Sequence, residues 1–167
     1  LFARLGWWQA SRAREKAAML ESAAQVLDAR RAVPLAQAAD PRRARGYDWA
    51  GGTGTFDARP ALLLDNQQRQ GRAGVRTYRI FMPDAGAPLL VDLGWRALLA
   101  PPPSSGLALG PSMQRQGDAW LLARVDLEDI AARTGLPVPL APRVLRLDPA
   151  LPIGYPRDLA LLANTLT

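Results

Sequence analysis

The sequence predicts an α+β protein: a small antiparallel β-barrel or strongly curved sheet of five to seven strands, with a long N-terminal helix and one short helix. Three observations carry this. Gly and Pro are absent from residue 7 to residue 29, where helix formers such as Ala13, Glu15, Lys16, Ala17 and Leu20 dominate. From residue 47 onward, short runs alternate apolar and polar residues with period two, separated by Gly and Pro turn sequences. The chain of 167 residues, 49% apolar and 22% charged, is long enough to bury one core and fits one domain spanning 1–167. Its expected parts are an N-terminal helix in 1–32, a barrel in 45–148 with the short helix at 127–134, and a return segment in 149–167.

The elements follow in order. Residues 3 to 29 read as one helix, ended by Pro34 and then Asp40-Pro41. Its stripe of Leu5, Gln9, Arg12, Lys16, Leu20, Ala23 and Leu27 is unusual, because cations occupy the middle of a face that its leucines mark as core-facing. A buried cation needs a partner, and Asp65 and Asp92 are the sheet carboxylates best placed to supply one. On that account Arg12→Ala costs about 3 kcal/mol. Tyr47 to Phe56 and Ala61 to Asp65 are strand candidates, the first weakened by Gly51, Gly52 and Gly54. Val75 to Met82 and residues 88 to 95 form a hairpin across Pro83-Asp84-Ala85-Gly86. In the latter strand Leu89, Val91, Leu93 and Trp95 face one way, and its clean alternation predicts a central position. Pro101 to Ser105 read as a surface loop. Trp120 to Val125 and Val144 to Leu147 are further strands. Asp126 reads as the N-cap of the short helix and Gly135 as its stop.

Composition narrows the function. The chain has no cysteine and no histidine, which removes thiolate metal sites, the commonest general base and any Ser-His-Asp triad. No catalytic residues are assigned, and the protein reads as a binding protein rather than an enzyme. Gly51-Gly52-Thr53-Gly54-Thr55 lacks the Gly-Lys-Ser/Thr ending of a phosphate loop. Asp126, Glu128 and Asp129 have the spacing of a helix cap and first turn, so no metal site is assigned. Basic residues number 21 against 15 acidic, for a net charge of +6, and all but Lys16 are arginine. That charge admits an alternative, a basic β-barrel module binding nucleic acid or another acidic partner. The arginines are spread along the chain, and the cluster Arg42, Arg43, Arg45 reads as a solvated loop, so no nucleic acid is expected. The chain begins at Leu1 without methionine and reads as a fragment, and no run of about 18 apolar residues spans a membrane. Trp7 and Trp8 point about 100° apart on a helix, so both do not enter one core; an interfacial Trp beside a membrane is the sharper reading.

The string Leu5-Gly6-x-Trp8-Gln9-x-x-Arg12-x-x-x-Lys16-x-x-x-Leu20 resembles the opening motif of the surfeit locus protein 1 family, the cytochrome c oxidase assembly factors. Gly52 to Phe56 with Asp57, then Leu64-Asp65-Asn66 with Gly71 and Gly74, resemble its next segments in order. Leu90-Val91-Asp92-Leu93-Gly94-Trp95 resembles its Gly-Trp strand, with Asp92-Leu93 where the family has Asn-Arg. The resemblance implies an extramembrane domain between two transmembrane helices lying outside this chain. It implies the bacterial inner membrane, with this domain on the periplasmic side. It implies a role in assembling an aa3-type oxidase, by assisting haem a insertion or stabilising the haem-loaded core subunit. The implied partners are that core subunit or haem a synthase. A His near the family's second helix has been implicated in haem a binding, and this chain has none, so no tight haem binding is expected of it. Trp8, Gln9 and Arg12 are the candidate cofactor-binding residues, facing a haem propionate or an acidic partner. Gly6, Lys16, Asp65, Asp92, Gly94 and Trp95 are the candidate structural residues.

Overall fold

A computed structural model describes residues 2–97 and 112–157, with side chains from Ala10 onward. The expected surface loop at Pro101 to Ser105 and the end of the return segment from residue 158 lie outside the described residues. The first helix, α1 (Phe2–Ala29), runs 28 residues, about 42 Å. It stops where Arg30 takes a left-handed conformation, φ 44°, and donates its N–H to the Val26 carbonyl at 3.0 Å. Then come β1 (Ala32–Pro34), the single-turn α2 (Leu35–Ala38) and a 3₁₀ turn at Pro41–Arg43, capped by the Asp40 carboxylate. Next are β2 (Trp49–Gly51), β3 (Gly54–Phe56), β4 (Leu62–Arg69), β5 (Arg72–Pro83) and β6 (Leu89–Ala97). The described chain ends with β7 (Met113–Gln116), β8 (Ala119–Leu122), α3 (Leu127–Thr134) and β9 (Val144–Arg146).

The main sheet runs β7-β8-β4-β5-β6-β9, with β3 added on β5, while β1 and β2 form a separate parallel pair. Seven strands match the expected number, but the sheet is mixed and does not close. The pairs β4/β8 and β6/β9 are parallel. The chain between β8 and β9 carries α3 across the sheet, and Ile130 of that helix is 1% exposed in the core. A face covered by a helix has no need to be curled shut, so the barrel expectation gives way to an open, helix-covered sheet.

The alternation of β6 is real, but both of its faces are buried. Leu90 packs with Leu62, Tyr78, Ile80 and Ile130 on the α3 side. Leu89, Val91 and Leu93 pack with Leu35 and Leu147 on the other. β6 has neighbours on both sides; the middle of the sheet is β5, which pairs with three strands. β4 and β5 each run longer than the strands expected from sequence, and they form a second hairpin that the sequence reading did not include. Gln70 and Gly71, at φ 51° and 73°, turn it tightly. The expected α3 cap is present: the Asp126 carboxylate accepts from the Asp129 N–H at 3.1 Å and Gly135 is left-handed.

The expectation that the first helix packs along the sheet is corrected. Between Ala10 and Ser22 no side chain of α1 is buried; Ala23 is buried, and Val26 and Leu27 are half-buried. Among the described side chains of α1, full burial is confined to its last two turns.

Candidate functional site

Gly6, Trp8 and Gln9 lie in the early turns of α1, and the side chains of Trp8 and Gln9 are outside the described residues. Arg12 is exposed and Lys16 half-buried. The carboxylates expected to receive these cations are placed elsewhere in the fold. Asp65 accepts from the Asn66 N–H at 2.7 Å in a β-bulge. Asp92, on β6, holds Arg76 at 2.8 Å and Arg146 at 3.6 Å. The cost of about 3 kcal/mol expected of Arg12→Ala assumed burial, and an exposed Arg12 does not meet that condition.

Asp92, Gly94 and Trp95 form a structural joint. Thr77 opposes Gly94 and Tyr78 opposes Asp92, so Leu93 is an extra residue in β6. Gly94 sits at φ 106°, and its N–H donates to the Asp92 carboxylate at 2.9 Å. The bulge receives the return segment. The Tyr155 N–H donates to the Leu93 carbonyl at 2.7 Å, and the Trp95 N–H to the Pro156 carbonyl at 3.0 Å. The Trp95 ring lies over Gly74, where a Cβ would come within 2.5 Å of it. Burial, and then the Asp92 charge, push the facing Tyr78 hydroxyl up to about 12, so it stays protonated.

A cleft of about 790 Å³ opens at the foot of α1. Its walls are Val26 and Leu27 of α1, the β2 segment with Trp49, Phe81 and Val91 of the main sheet, and Leu145 and Leu147 beyond. Arg30 stacks on the Trp49 ring at 4.9 Å and lies 3.6 Å from Asp148. Arg143 lines the opposite wall and ties three segments together. Its guanidinium donates to the Ala38 carbonyl at 2.9 Å, the Gly46 carbonyl at 2.8 Å and Asp48 at 2.6 Å. Asp48 also receives a bidentate pair from Arg43, so Arg43 anchors its loop rather than being merely solvated.

The hydrogen bond from Arg43, and then Arg143, hold the Asp48 carboxyl down to about 2 from its ordinary 3.8. The folded value lies below the unfolded one. These contacts therefore stabilise the fold above about pH 4, and their contribution disappears as the pH falls from there through about 2. Asp57, lowered chiefly by the Arg59 N–H, acts in the same direction. Melting curves across that window should show a falling midpoint, and Asp48→Asn should flatten the fall. An identical slope in the variant would remove Asp48 from this role.

Sequence reasoning missed what the arginines do. Arg59 donates to the carbonyls of Thr134 and Gly135, capping the C-terminus of α3, and pairs with Asp57 at 2.6 Å. Arg157 donates to four carbonyls, those of Leu147, Asp148, Leu151 and Tyr155, and so folds the return segment on itself. Much of the positive charge is thus spent on the chain's own acceptors. No local pattern announces the long-range pairs among them, which join residues up to 105 positions apart.

Among the described residues no cluster of acidic side chains could hold a metal ion, and no helix is long and apolar enough to cross a membrane. A family model, that of the SURF1 family, matches residues 1–164. No curated protein and no solved structure matches the chain.

Proposed function

The chain belongs to the SURF1 family, the cytochrome oxidase assembly factors, and on that premise we propose that it assists haem a insertion into an aa3-type oxidase or stabilises the haem-loaded core subunit. The proposed setting is the bacterial inner membrane, with this domain on the periplasmic side and membrane helices flanking it. The partner is the oxidase core subunit or haem a synthase, and the work is binding rather than catalysis. One observation supports placing the contact on α1. The motif turns lead into a stretch, Ala10 to Ser22, in which no side chain is buried. Core burial therefore constrains few of these residues, which supports a role for this surface in meeting a partner. In this reading Trp8 and Gln9 make the apolar and amide contacts, and Arg12 pairs with a propionate or an acidic patch.

Haem a is the cargo in this reading. The chain has no His or Cys, and of its methionines Met113 is 1% exposed in the core while Met19 is 45% exposed on α1. The residues described fit propionate pairing and apolar contact better than strong axial ligation. The test is the combined Trp8→Ala, Gln9→Ala and Arg12→Ala variant in the full-length protein. Membrane haem aa3 absorbance should fall several-fold while the melting temperature of residues 1–167 stays within about 2 °C. Undiminished oxidase would sink the assignment, as would a low-spin, bis-ligated spectrum on adding haem to residues 1–167.

A further inference from the structure

The α3 side of the main sheet changes from apolar to basic towards the β4–β5 turn. Directly opposed residues in a sheet share a face, as do alternate residues of one strand. Tyr78 packs in the α3-side core, so Arg76, Gly74 and Arg72 of β5 share its face. Arg69 opposes Arg72, and Trp95 opposes Arg76. Arg146 opposes Asp92, which in turn opposes Tyr78. Along β4, β5, β6 and β9 this side therefore carries four guanidiniums against the one carboxylate of Asp92. Asp65 adds no counter-charge to it, because the bulge that holds Asp65 opposes Val75, which points to the other face. Asp92 is 5% exposed and is shared: Arg76 donates to it at 2.8 Å, and Arg146 stands 3.6 Å away. Of the acids on α3, Asp126 and Asp129 pair with Arg124 and Arg133, which leaves Glu128. The surplus on this side is positive, and Arg72 and Arg146 are both exposed.

We propose that this face lies on a bilayer and binds the phosphate groups of anionic lipids. Guanidiniums pair with phosphate oxygens through charge-assisted hydrogen bonds. Trp95 lies half-buried among the arginines with its ring against Gly74, and tryptophan is the aromatic residue suited to the level of lipid headgroups. The return segment ends at the same place. The Tyr155 N–H bonds to the Leu93 carbonyl and the Trp95 N–H to the Pro156 carbonyl, so a membrane helix following that segment would start close to this face. That last step rests on the membrane setting proposed above.

The test is co-sedimentation of the 167-residue chain with phosphatidylglycerol vesicles and with phosphatidylcholine vesicles. Partitioning onto the first and not the second is expected, and it should weaken as salt rises. Arg72→Gln with Arg146→Gln should weaken it by about tenfold or more, and Arg72→Gln alone, outside the Asp92 cluster, by about threefold or more. Arg31→Gln with Arg45→Gln removes the same charge from exposed positions elsewhere and should weaken it by less than about threefold. The assay contains no oxidase, so its failure strikes this face alone, while the haem aa3 measurement judges the assembly reading. Absence of binding to phosphatidylglycerol, equal binding to phosphatidylcholine, or equal loss in the two double variants would overturn the proposal. So would capture by soluble polyglutamate without vesicle binding, which would assign the face to an acidic protein.

Discussion

Replacing Asp92 by alanine lowers the unfolding free energy by about 3 kcal/mol or more. The Asp92 side chain is 5% exposed and accepts from Arg76 at 2.8 Å and from the Gly94 N–H at 2.9 Å. Alanine leaves the Arg76 guanidinium, itself 23% exposed, without its carboxylate inside the sheet. It also leaves the bulge amide without an acceptor. Asp92→Asn separates the two losses. It keeps an oxygen for the Gly94 N–H and gives up only the charge, so its cost should be smaller, about 1–2 kcal/mol. Asparagine is also the residue that the family motif carries at this point of the strand. Urea unfolding with an unchanged m-value would measure both. An asparagine variant as unstable as the alanine variant would show that the amide contact contributes nothing.

Gly94→Ala should cost about 3 kcal/mol, from backbone strain and lost hydrogen bonds together. At φ 106° the residue is in a region that side chains avoid. A Cβ there would lie 2.6 Å from the Tyr155 carbonyl oxygen. The return segment must therefore move off the strand, breaking the bonds to Leu93 and Trp95. Gly71→Ala is the control. It also has a positive φ, but nothing lies within 4 Å of its Cβ, so it carries strain alone, about 1 kcal/mol. Limited proteolysis between Leu151 and Arg157 should accelerate in Gly94→Ala and not in Gly71→Ala. Equal stability of the two variants would mean that the close approach at Gly94 does not matter.

Local chemistry explains which parts of the fold were legible. Asp126 and Gly135 marked α3 because a cap and a left-handed stop are made by single residues. The alternation of β6 and its turn to β5 were legible for the same reason: neighbours in sequence are neighbours in space. The parallel pairs were not, since Leu62 to Leu64 join Trp120 to Leu122 across more than fifty residues with no turn to announce them. That omission made the sheet look antiparallel and closed. β7 was missed because Gln114, Arg115 and Gln116 are exposed and show no alternation. The stripe on α1 misled in a different way. Helical periodicity places Leu5, Arg12 and Leu20 on one face, but it does not say whether anything lies opposite that face. The return-segment clamp at Arg157 left no local trace at all.

The confinement of burial to the last turns of α1 has a mechanical consequence. Ala23, Val26 and Leu27 line the cleft, and the residues before them carry α1 away from it. From Ala23 back to Phe2 that stretch is about 32 Å long. A rotation of about 10° at Ala23 swings the far end by about 5 Å, close to one pitch of an α-helix. A small change in the tilt of α1 at the cleft would therefore displace the motif-bearing tip by a large distance.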